Sequence, residues 1–493
     1  MATYRIEGFA RRPRAAAYAS VILAPLLCAC SFALPYAPPQ PSVPQQYEPA
    51  ASDAASIARI GWRDFFQDAQ LRALIETALA NNQDIKIASA RVAEARAAWR
   101  VEGAALYPEL GAVGSATRSR TLATLPGLGA LSYDIKEVTL QASAQWEIDF
   151  WGRLRNLKAA ARDQYLASEE ARRAVAIELI AQVANGYLLE REYEEREALA
   201  RKTIATREEA LRIMRRRYEV GSGSKLEMTQ AQMLLGQAQT ALHALDLDRQ
   251  VNRNALTLLV GQPVKIAPSE LGLVEAASPM ALPAGLPSEL LVNRPDIVAA
   301  EYNLRAADAN IGAARAAFFP SISLTGAYGG ASTDLDHLFA NGSEAWSFSP
   351  TIKLPLFNAG RLAANLDIAK ARQVRAVAQY EQTVQTAFRD VSDALVRRRQ
   401  LGLQVETTRM VLEAANERAR LAQLRFDNGR SAYLEVLDAQ RDLFDTEQAL
   451  VQLRRAQLAS GVALYAALGG GFADATPFVI NTTNAQPAGA DPR

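Results

Sequence analysis

Two tracts of the sequence, residues 152–217 and 360–426, contain no proline and place apolar residues at spacings of three and four. This spacing is the period of an α-helix with an apolar stripe. At ~1.5 Å of rise per residue, each tract predicts a helix about 100 Å long. No compact globular domain has room for such a helix, so an ordinary globular fold is excluded.

Each long tract ends in a turn, and the two turns have closely similar sequences. RYEVGSGSKLEMTQAQ runs from Arg217 to Gln232, and RFDNGRSAYLEVLDAQ runs from Arg425 to Gln440, 208 positions later. Three further pairs recur in the same order at offsets of 208 or 212: NNQDI and NRPDI, ALYP and AFFP, GRL and GRL. Four ordered matches at nearly one offset indicate an internal duplication.

Each repeat predicts the order helix, strand, loop, strand, very long helix, turn, long helix. The first repeat is assigned to residues 61–265, with strands at about 106–120 and 138–151 and long helices at about 152–217 and 224–260. The second is assigned to 291–468, with strands at about 319–333 and 345–358 and long helices at about 360–426 and 432–468. Residues 266–290 are predicted to link the repeats, and 469–493 to form a flexible tail.

A cytosolic antiparallel coiled coil is an alternative interpretation of such long helices. Their heptads, however, are rich in alanine, as at Ala174, Ala176, Ala181 and Ala184. Small residues allow close packing, and two apolar stripes on one helix allow contacts with neighbours on both sides. The pattern favours a wall of helices over an isolated pair.

The N-terminus predicts export. Arginines precede an apolar run from Ala15 to Leu27, which is too short to span a bilayer and is typical of a signal peptide. The run ends in Leu27-Cys28-Ala29-Cys30, which resembles a bacterial lipobox and makes residues 1–29 a leader and Cys30 the acylated first residue. A plain signal peptide is the alternative, and the residues around Arg11-Arg12 do not support twin-arginine export. The proline-rich residues 30–60 predict an extended leash.

Composition argues against an enzyme. The chain has two cysteines and two histidines, which nearly excludes zinc sites and most histidine-based catalysis. It has no glycine-rich phosphate loop, and its carboxylates cluster only on helix faces, so we expect no cofactor and no catalytic residue. The net charge is +1 over 493 residues, and with no basic field the chain is not expected to bind nucleic acid.

Two segments alternate apolar and polar residues, VTLQASAQWEIDF from Val138 and WSFSPTIKLPL from Trp346. About ten alternating residues are typical of an outer-membrane β-barrel strand, although a half-buried strand in a soluble sandwich has the same period. Four strands cannot close a barrel, and an open sheet edge cannot lie in hydrocarbon. Three chains would supply twelve strands and a conducting lumen, whereas eight strands from two chains would enclose only side chains.

The chain from about Trp62 to Leu468 resembles the TolC-like outer membrane factors, and within them the lipoprotein, NodT-type efflux branch. The most specific stretches are NRPDIVAAEYNLRAADANIGAARAAFFPSISLTGAYGG, from Asn293 to Gly330, and the paired turns at Gly221 and Gly429. The resemblance implies a mostly α fold with β: a trimeric, 12-stranded outer-membrane β-barrel continuous with a periplasmic α-helical barrel.

The resemblance also implies a function. The homotrimer would be the passive exit duct of a tripartite multidrug efflux system, carrying small molecules from the periplasm to the exterior. Its partners would be a periplasmic adaptor protein, an inner-membrane transporter of the RND type and outer-membrane lipid. A type I secretion outlet is the alternative function.

Two sets of site residues follow from the resemblance. The two turns would be periplasmic tips that dock the adaptor, through Val220, Gly221, Ser222, Leu226, Gly429, Arg430, Ser431 and Leu434. Glycine caps and buried leucines would give the same sequence for structural reasons alone. The gate would be acidic rings of Glu435 and Asp438, with Arg425 and Arg430 as candidate latch partners. The alternative for the acidic pair is a solvated helix start favoured by the helix dipole.

Overall fold

The computed structural model describes residues 60–125, 129–268 and 293–470, together with Tyr36 and Pro39. Cys30, most of the predicted linker over 266–290 and nearly all of the predicted tail over 469–493 lie outside the described residues. Within the described ranges, none of the helices is long and apolar enough to cross a membrane.

The described elements follow the same order in both repeats. The first repeat contains α1 (Trp62–Phe65), α2 (Ala69–Asn81), α3 (Gln83–Ala104), β1 (Glu109–Leu125), β2 (Gly129–Ile148), α4 (Arg153–Glu219) and α5 (Lys225–Val260). The second contains α6 (Pro295–Ala316), β3 (Ser321–Ser332), a 3₁₀ turn (Leu335–His337), β4 (Glu344–Lys353), α7 (Arg361–Asp427) and α8 (Tyr433–Ala467). Helices α4 and α7 have 67 residues each. The predicted fold of paired strands, very long helices and a two-fold internal repeat is confirmed.

Short polar side chains and glycines set the helix ends. The Asn82 side chain breaks the helix between α2 and α3 because its Oδ1 accepts the N–H groups of Asp84 and Ile85 at 2.8 and 3.2 Å, which caps α3. Gly261 ends α5 in the left-handed region, at φ 76°. Helix α5 therefore ends at residue 260, where the sequence predicted its end.

Strand ends differ from the sequence prediction by several residues. Strand β2 begins at Gly129 and ends at Ile148, rather than extending over about 138–151. It stops there because the Asp149 carboxylate turns to accept the N–H groups of Leu154 and Arg155 and caps α4. Strand β4 ends at Lys353 rather than near 358, since Pro355 has no N–H to continue the ladder.

One compact unit of the chain contains the sheet, in the described parts of residues 91–169 and 299–380. The strands are antiparallel neighbours in the order β1-β2-β3-β4, so β2 and β3 join the two repeats. Directly opposed residues share a face of the sheet. One face is mainly apolar, with cross-strand rows Ile148-Ile322-Ile352, Trp146-Leu324-Pro350 and Leu110-Ala144-Gly326-Phe348. The other is polar, with rows Glu147-Ser323-Thr351 and Glu109-Gln145-Thr325-Ser349.

The second compact unit contains the hairpins, in the described parts of residues 41–90, 170–298 and 381–493. One buried cluster of this unit lies close to the two repeated turns and includes Leu211, Met214, Leu234, Tyr433, Val436 and Leu437. A smaller cluster of Ala200, Leu245 and Phe444 lies farther along the same helices. These clusters hold the two hairpins side by side and fix the position of the turns.

Candidate functional site

The first turn, between α4 and α5, is closed by its own backbone and side chains. Gly221 adopts φ 75°, and the N–H groups of Ser222 and Gly223 donate to the Arg217 carbonyl at 2.8 and 3.0 Å. Ser224 begins α5 with a capping box: its Oγ accepts the Glu227 N–H at 3.1 Å, and the Glu227 carboxylate accepts the Ser224 N–H at 2.9 Å. Glu227 is therefore committed to the start of its own helix.

The second turn, between α7 and α8, has the same backbone form and a different side-chain arrangement. Gly429 adopts φ 68°, and the Arg430 N–H donates to the Arg425 carbonyl at 2.8 Å. The N-cap is Ala432, whose methyl side chain cannot accept a hydrogen bond from the helix. Glu435, the equivalent of Glu227, is instead paired with Arg425 across the turn at 3.1 Å. The same acidic residue thus closes a cap in one repeat and bridges two helices in the other.

The residues predicted to dock an adaptor lie at the surface of this chain. Val220, Leu226 and Leu434 are 58%, 66% and 50% exposed. Because both leucines are exposed here, the alternative that they are core residues is not supported by this chain. Apart from the adjoining residues, no atom lies within 4 Å of where a Cβ would sit on Gly221 or Gly429. The positive φ, and not a lack of space, therefore explains why glycine occupies these two positions.

The serines and the arginine of the docking set have different environments. The exposed Ser222 donates from its Oγ to the Arg217 carbonyl at 3.2 Å. Ser431 has a buried Oγ without a hydrogen-bond partner among the described residues. Arg430 is exposed and makes no ion pair within the described part of the chain. Of the two candidate latch arginines, the structure brings only Arg425 to an acidic gate residue.

The predicted gate residue Asp438 lies one helical turn beyond Glu435 on α8. Its carboxylate is 3.7 Å from the guanidinium of Arg441, which also lies 3.4 Å from Asp442. Asp442 in turn pairs with Arg418 on α7. The hydrogen bond from Arg418, and then that from Arg441, hold the pKa of Asp442 below its ordinary value. An alternating chain of charges therefore runs down α8 from Glu435.

The sequence interpretation missed Arg441, Asp442 and Arg418. The spacing of three residues between Asp438 and Arg441 is a helical neighbour pattern and could have indicated that pair. No local signal pointed to Arg418, because its contact with Asp442 depends on how α7 packs against α8.

Aromatic and basic side chains from the two turns pack against one another. Phe426 packs on Tyr433 with ring centroids 5.0 Å apart, and the guanidinium of Arg217 lies 5.2 Å from the Phe426 ring. Arg217 is the equivalent of Arg425, so the two repeated arginines also have different partners. Through Arg217 and Phe426, the first turn contacts the second.

A separate charged cluster is buried between α4 and α5, away from the turns. Glu190 and Glu197 are 0% and 1% exposed. Glu190 accepts hydrogen bonds from Arg249 at 2.7 Å and from Arg253 at 2.7 and 3.0 Å. Glu197 accepts from Arg249 at 2.9 Å and from Arg201 at 2.8 Å. We call Glu190, Glu197, Arg201, Arg249 and Arg253 the buried ion cluster.

Comparison with known proteins identifies similar chains over most of this length. Residues 74–262 and 286–470 match the family described as outer membrane efflux protein. The toluene efflux pump outer membrane protein TtgC of Pseudomonas putida is 42% identical, over 92% of this chain and 94% of that protein. The probable outer membrane lipoprotein SilC of Salmonella typhimurium is 39% identical, over 91% of this chain and 97% of that protein.

A solved structure has a closely similar fold. The open state of the MtrE outer membrane channel of Neisseria gonorrhoeae superposes with a TM-score of 0.80. It is 36% identical in sequence, and the match covers 90% of this chain and 98% of that one.

Proposed function

The chain belongs to the outer membrane efflux protein family, and on this premise we propose that it forms the gated exit duct of a tripartite efflux pump. It is an outer membrane efflux channel and not an enzyme, as its family and relatives are. The matched relatives favour efflux over type I secretion.

The four-stranded sheet is the observation that supports the proposal of a duct. One of its faces is mainly apolar and the other polar, and among the described residues each of β1 and β4 pairs with only one strand. An unpaired strand edge in hydrocarbon leaves backbone groups unsatisfied, at a cost of several kcal/mol each. We therefore propose that β4 of one copy pairs with β1 of the next in a homotrimer, with the polar face toward a twelve-stranded lumen.

The repeated turns support the docking proposal. Both present an exposed leucine five residues after a glycine with positive φ, although the rest of each turn differs. A trimer would carry six such tips, which suits a ring of adaptor subunits. Val220, Gly221, Ser222 and Leu226, with Gly429, Arg430, Ser431 and Leu434, are the proposed contacts. The adaptor would in turn connect to an inner-membrane transporter of the RND class, which supplies the energy.

The gate proposal rests on Glu435 and Asp438. Three copies of each would place six carboxylates around a narrow axis, where they attract cations and repel one another. In the chain, Arg425 partly neutralises Glu435 and Arg441 partly neutralises Asp438. Docking at the tips would separate these pairs and widen the ring. Arg430 is kept as a latch candidate toward a neighbouring copy.

We further propose that a lipid attaches the N-terminus of the chain to the outer membrane. Cys30 follows a lipobox-like sequence, and one matched relative is named an outer membrane lipoprotein. Acylation at Cys30 would attach the N-terminal leash to the inner leaflet of the outer membrane. We propose that the mature chain consists of a first repeat over residues 61–265, a linker over 266–290, a second repeat over 291–468 and a tail over 469–493.

Single-channel recording tests the gate. The double variant Glu435→Gln/Asp438→Asn removes the charges without changing side-chain size, and we expect a higher conductance and a weaker preference for cations. The matched control is Glu227→Gln, because it alters the equivalent position of the first turn and glutamine still completes a capping box. A native mass of three chains in detergent is required for each protein compared.

If the double variant conducts like the parent with unchanged selectivity, Glu435 and Asp438 do not form the constriction. If the control opens the channel as strongly, the effect is one of helix starts and not of acidic rings.

A further inference from the structure

Two cations lie directly opposite each other on the apolar face of the sheet. Arg118 of β1 is in register with Lys136 of β2, and both side chains are exposed. Neither side chain makes an ion pair within the described part of the chain. Like charges directly opposite each other destabilise a strand pair, and an anion held between them would remove that repulsion. We call Arg118 and Lys136 the cation pair.

The next row of the same face, toward the tip of the β1–β2 hairpin, is already neutral. Arg120 and Asp134 are directly opposed there. The Asp134 carboxylate accepts hydrogen bonds from the Arg120 guanidinium at 2.7 and 3.2 Å. Since Asp134 is committed to Arg120, the acidic residue nearest along β2 on this face does not neutralise the cation pair. The two rows together carry two unbalanced positive charges.

The cation pair comes directly after an apolar stripe. Every second residue of β2 from Val138 to Ile148 is apolar, and these residues lie on the same face as Lys136. At about 3.4 Å per residue, the stripe is about 34 Å long. At the tilt of about 40° that is typical of outer-membrane barrels, it covers about 26 Å of height, close to their apolar band of about 25 Å. The cation pair therefore occupies the first row beyond the apolar band.

Aromatic side chains lie toward the same end of this face. Tyr328 of β3 and Trp346 of β4 are directly opposed, and they are 60% and 73% exposed. Aromatic side chains flank the apolar band of such barrels at both interfaces. The other end of the sheet leads into the long helices, which the proposed function places in the periplasm. The cation pair is thus at the boundary between membrane and exterior.

We propose that the cation pair binds a phosphate group of the phosphorylated glycolipid in the outer leaflet of the outer membrane. The proposal rests on the duct proposed above, because only a sheet whose apolar face meets lipid brings this row to the level of the headgroups. The Arg118 guanidinium can donate to two phosphate oxygens at once, and the Lys136 ammonium adds a point charge beside it. Together they balance the charge of one phosphate.

The row beneath the cation pair favours a lipid over a free phosphate ion. It consists of Ala116 and Val138, which are directly opposed and apolar. Acyl chains of a lipid whose phosphate is held by the cation pair would pack along this row and the stripe below it, and so remove apolar surface from water. A free phosphate ion gains only the two charges at an exposed site, where water and salt screen them.

Native mass spectrometry of the detergent-solubilised full chain tests the site, with lipid A that carries two phosphate groups as the probe. We expect lipid A to bind the parent, and to bind Arg118→Gln/Lys136→Gln at least tenfold more weakly, because each cation near a lipid surface contributes about a fivefold factor. Lys353→Gln is the matched control, since Lys353 is an exposed lysine on the polar face of the same sheet, and it should bind like the parent.

Two further probes identify the group that is recognised. Lipid A without its phosphate groups keeps its sugars and acyl chains, and it should bind the parent at least tenfold more weakly. Inorganic phosphate in excess should leave most of the lipid A bound. Equal binding of lipid A by the parent and the double variant, equal binding of both lipids by the parent, or full displacement by inorganic phosphate each overturns the proposal.

Thermal unfolding separates loss of binding from loss of fold. The double variant without lipid should unfold at or above the temperature of the parent, because it has lost a repulsion. Lipid A should raise the unfolding temperature of the parent and not that of the double variant. A lower unfolding temperature of the lipid-free double variant, or an equal rise with lipid A, contradicts the proposal.

The duct is reported separately by the native mass and by single-channel recording. A parent that is not a conducting assembly of three chains overturns the proposed function, and the placement of the cation pair with it. A conducting trimer whose double variant binds lipid A like the parent overturns the lipid site alone.

Discussion

The two hairpins of the duplicated chain, α4–α5 and α7–α8, have turns of the same backbone form, but different ion pairs join their helices. In the first, the buried ion cluster crosses between the helices with Glu190 fully buried. In the second, the equivalent positions are Arg398, Val405, Gln457 and Gly461, which cannot form that cluster. The helices there are joined by ion pairs near the turn, Arg425–Glu435 and Arg418–Asp442, whose side chains are all more than 40% exposed.

This difference separates a hairpin joined by buried ion pairs from one joined by exposed ion pairs. Breaking a buried pair by removing one partner costs about 3–5 kcal/mol, since an uncompensated charge remains buried. Exposed pairs contribute about 0–1 kcal/mol and are screened by salt. The duplicated unit has thus placed its acidic gate candidates on the hairpin with the weaker electrostatic joints.

The largest expected effect comes from Glu190→Ala. Arg249 and Arg253 would lose a buried partner, so we expect the free energy of unfolding to fall by about 3 kcal/mol, measured by denaturant unfolding of the detergent-solubilised protein. The control is Glu209→Ala on the same helix, because Glu209 and its partner Arg212 are exposed and their loss should leave the free energy of unfolding nearly unchanged. Equal losses in the two variants would contradict the contrast between buried and exposed charge.

A cap exchange should give effects of intermediate size. Ser224→Ala removes a capping box and should cost about 1 kcal/mol, seen as roughly fivefold faster amide hydrogen exchange at Glu227. Ala432→Ser offers the same box to Glu435 and should slow exchange at Glu435 while drawing its carboxylate away from Arg425. If Ala432→Ser leaves exchange at Glu435 unchanged, the two turns differ for a reason other than the cap.

The smallest effect is expected at the exposed joint, from Arg418→Ala. We expect a loss of at most about 0.5 kcal/mol, which disappears in 1 M salt, whereas the loss in Glu190→Ala persists there. Because Arg418 lowers the pKa of Asp442, its contribution is present above the ordinary aspartate pKa and is lost as the pH falls through the lowered value. Unfolding midpoints of parent and variant should therefore differ equally at pH 7 and pH 5, and converge in more acidic solution.

The sequence was a good guide wherever the signal was local and periodic. Helical spacing without proline predicted α4 and α7, and alternation predicted the faces of β2. It was a poor guide to the buried ion cluster. The stretch LEREYEERE, from Leu189 to Glu197, has the composition of a solvated charged surface. Contacts with distant segments bury it, with α5 through Arg249 at Glu190 and with α8 through Arg455 at Glu192.

The candidate site, too, was predictable from the sequence only in part. The turn glycines and the acidic residues of α8 could be found from the repeat and the family resemblance. The partners could not, because Glu227 and Glu435 occupy equivalent positions and differ in role through the residue three places earlier, serine in one and alanine in the other. The contact between Arg418 and Asp442 joins two different helices, and no local pattern encodes it.

The pairing of β2 with β3 has a consequence for how the protein is made. Strand β2 hydrogen-bonds to β1 immediately before it, but its other partner, which aligns Ile148 with Ile322, follows only after α4, α5 and α6. Such distant pairing forms slowly because a long loop must close first. During export, the edge of β2 that pairs with β3 therefore stays unpaired until the second repeat has followed. An unpaired strand edge promotes aggregation.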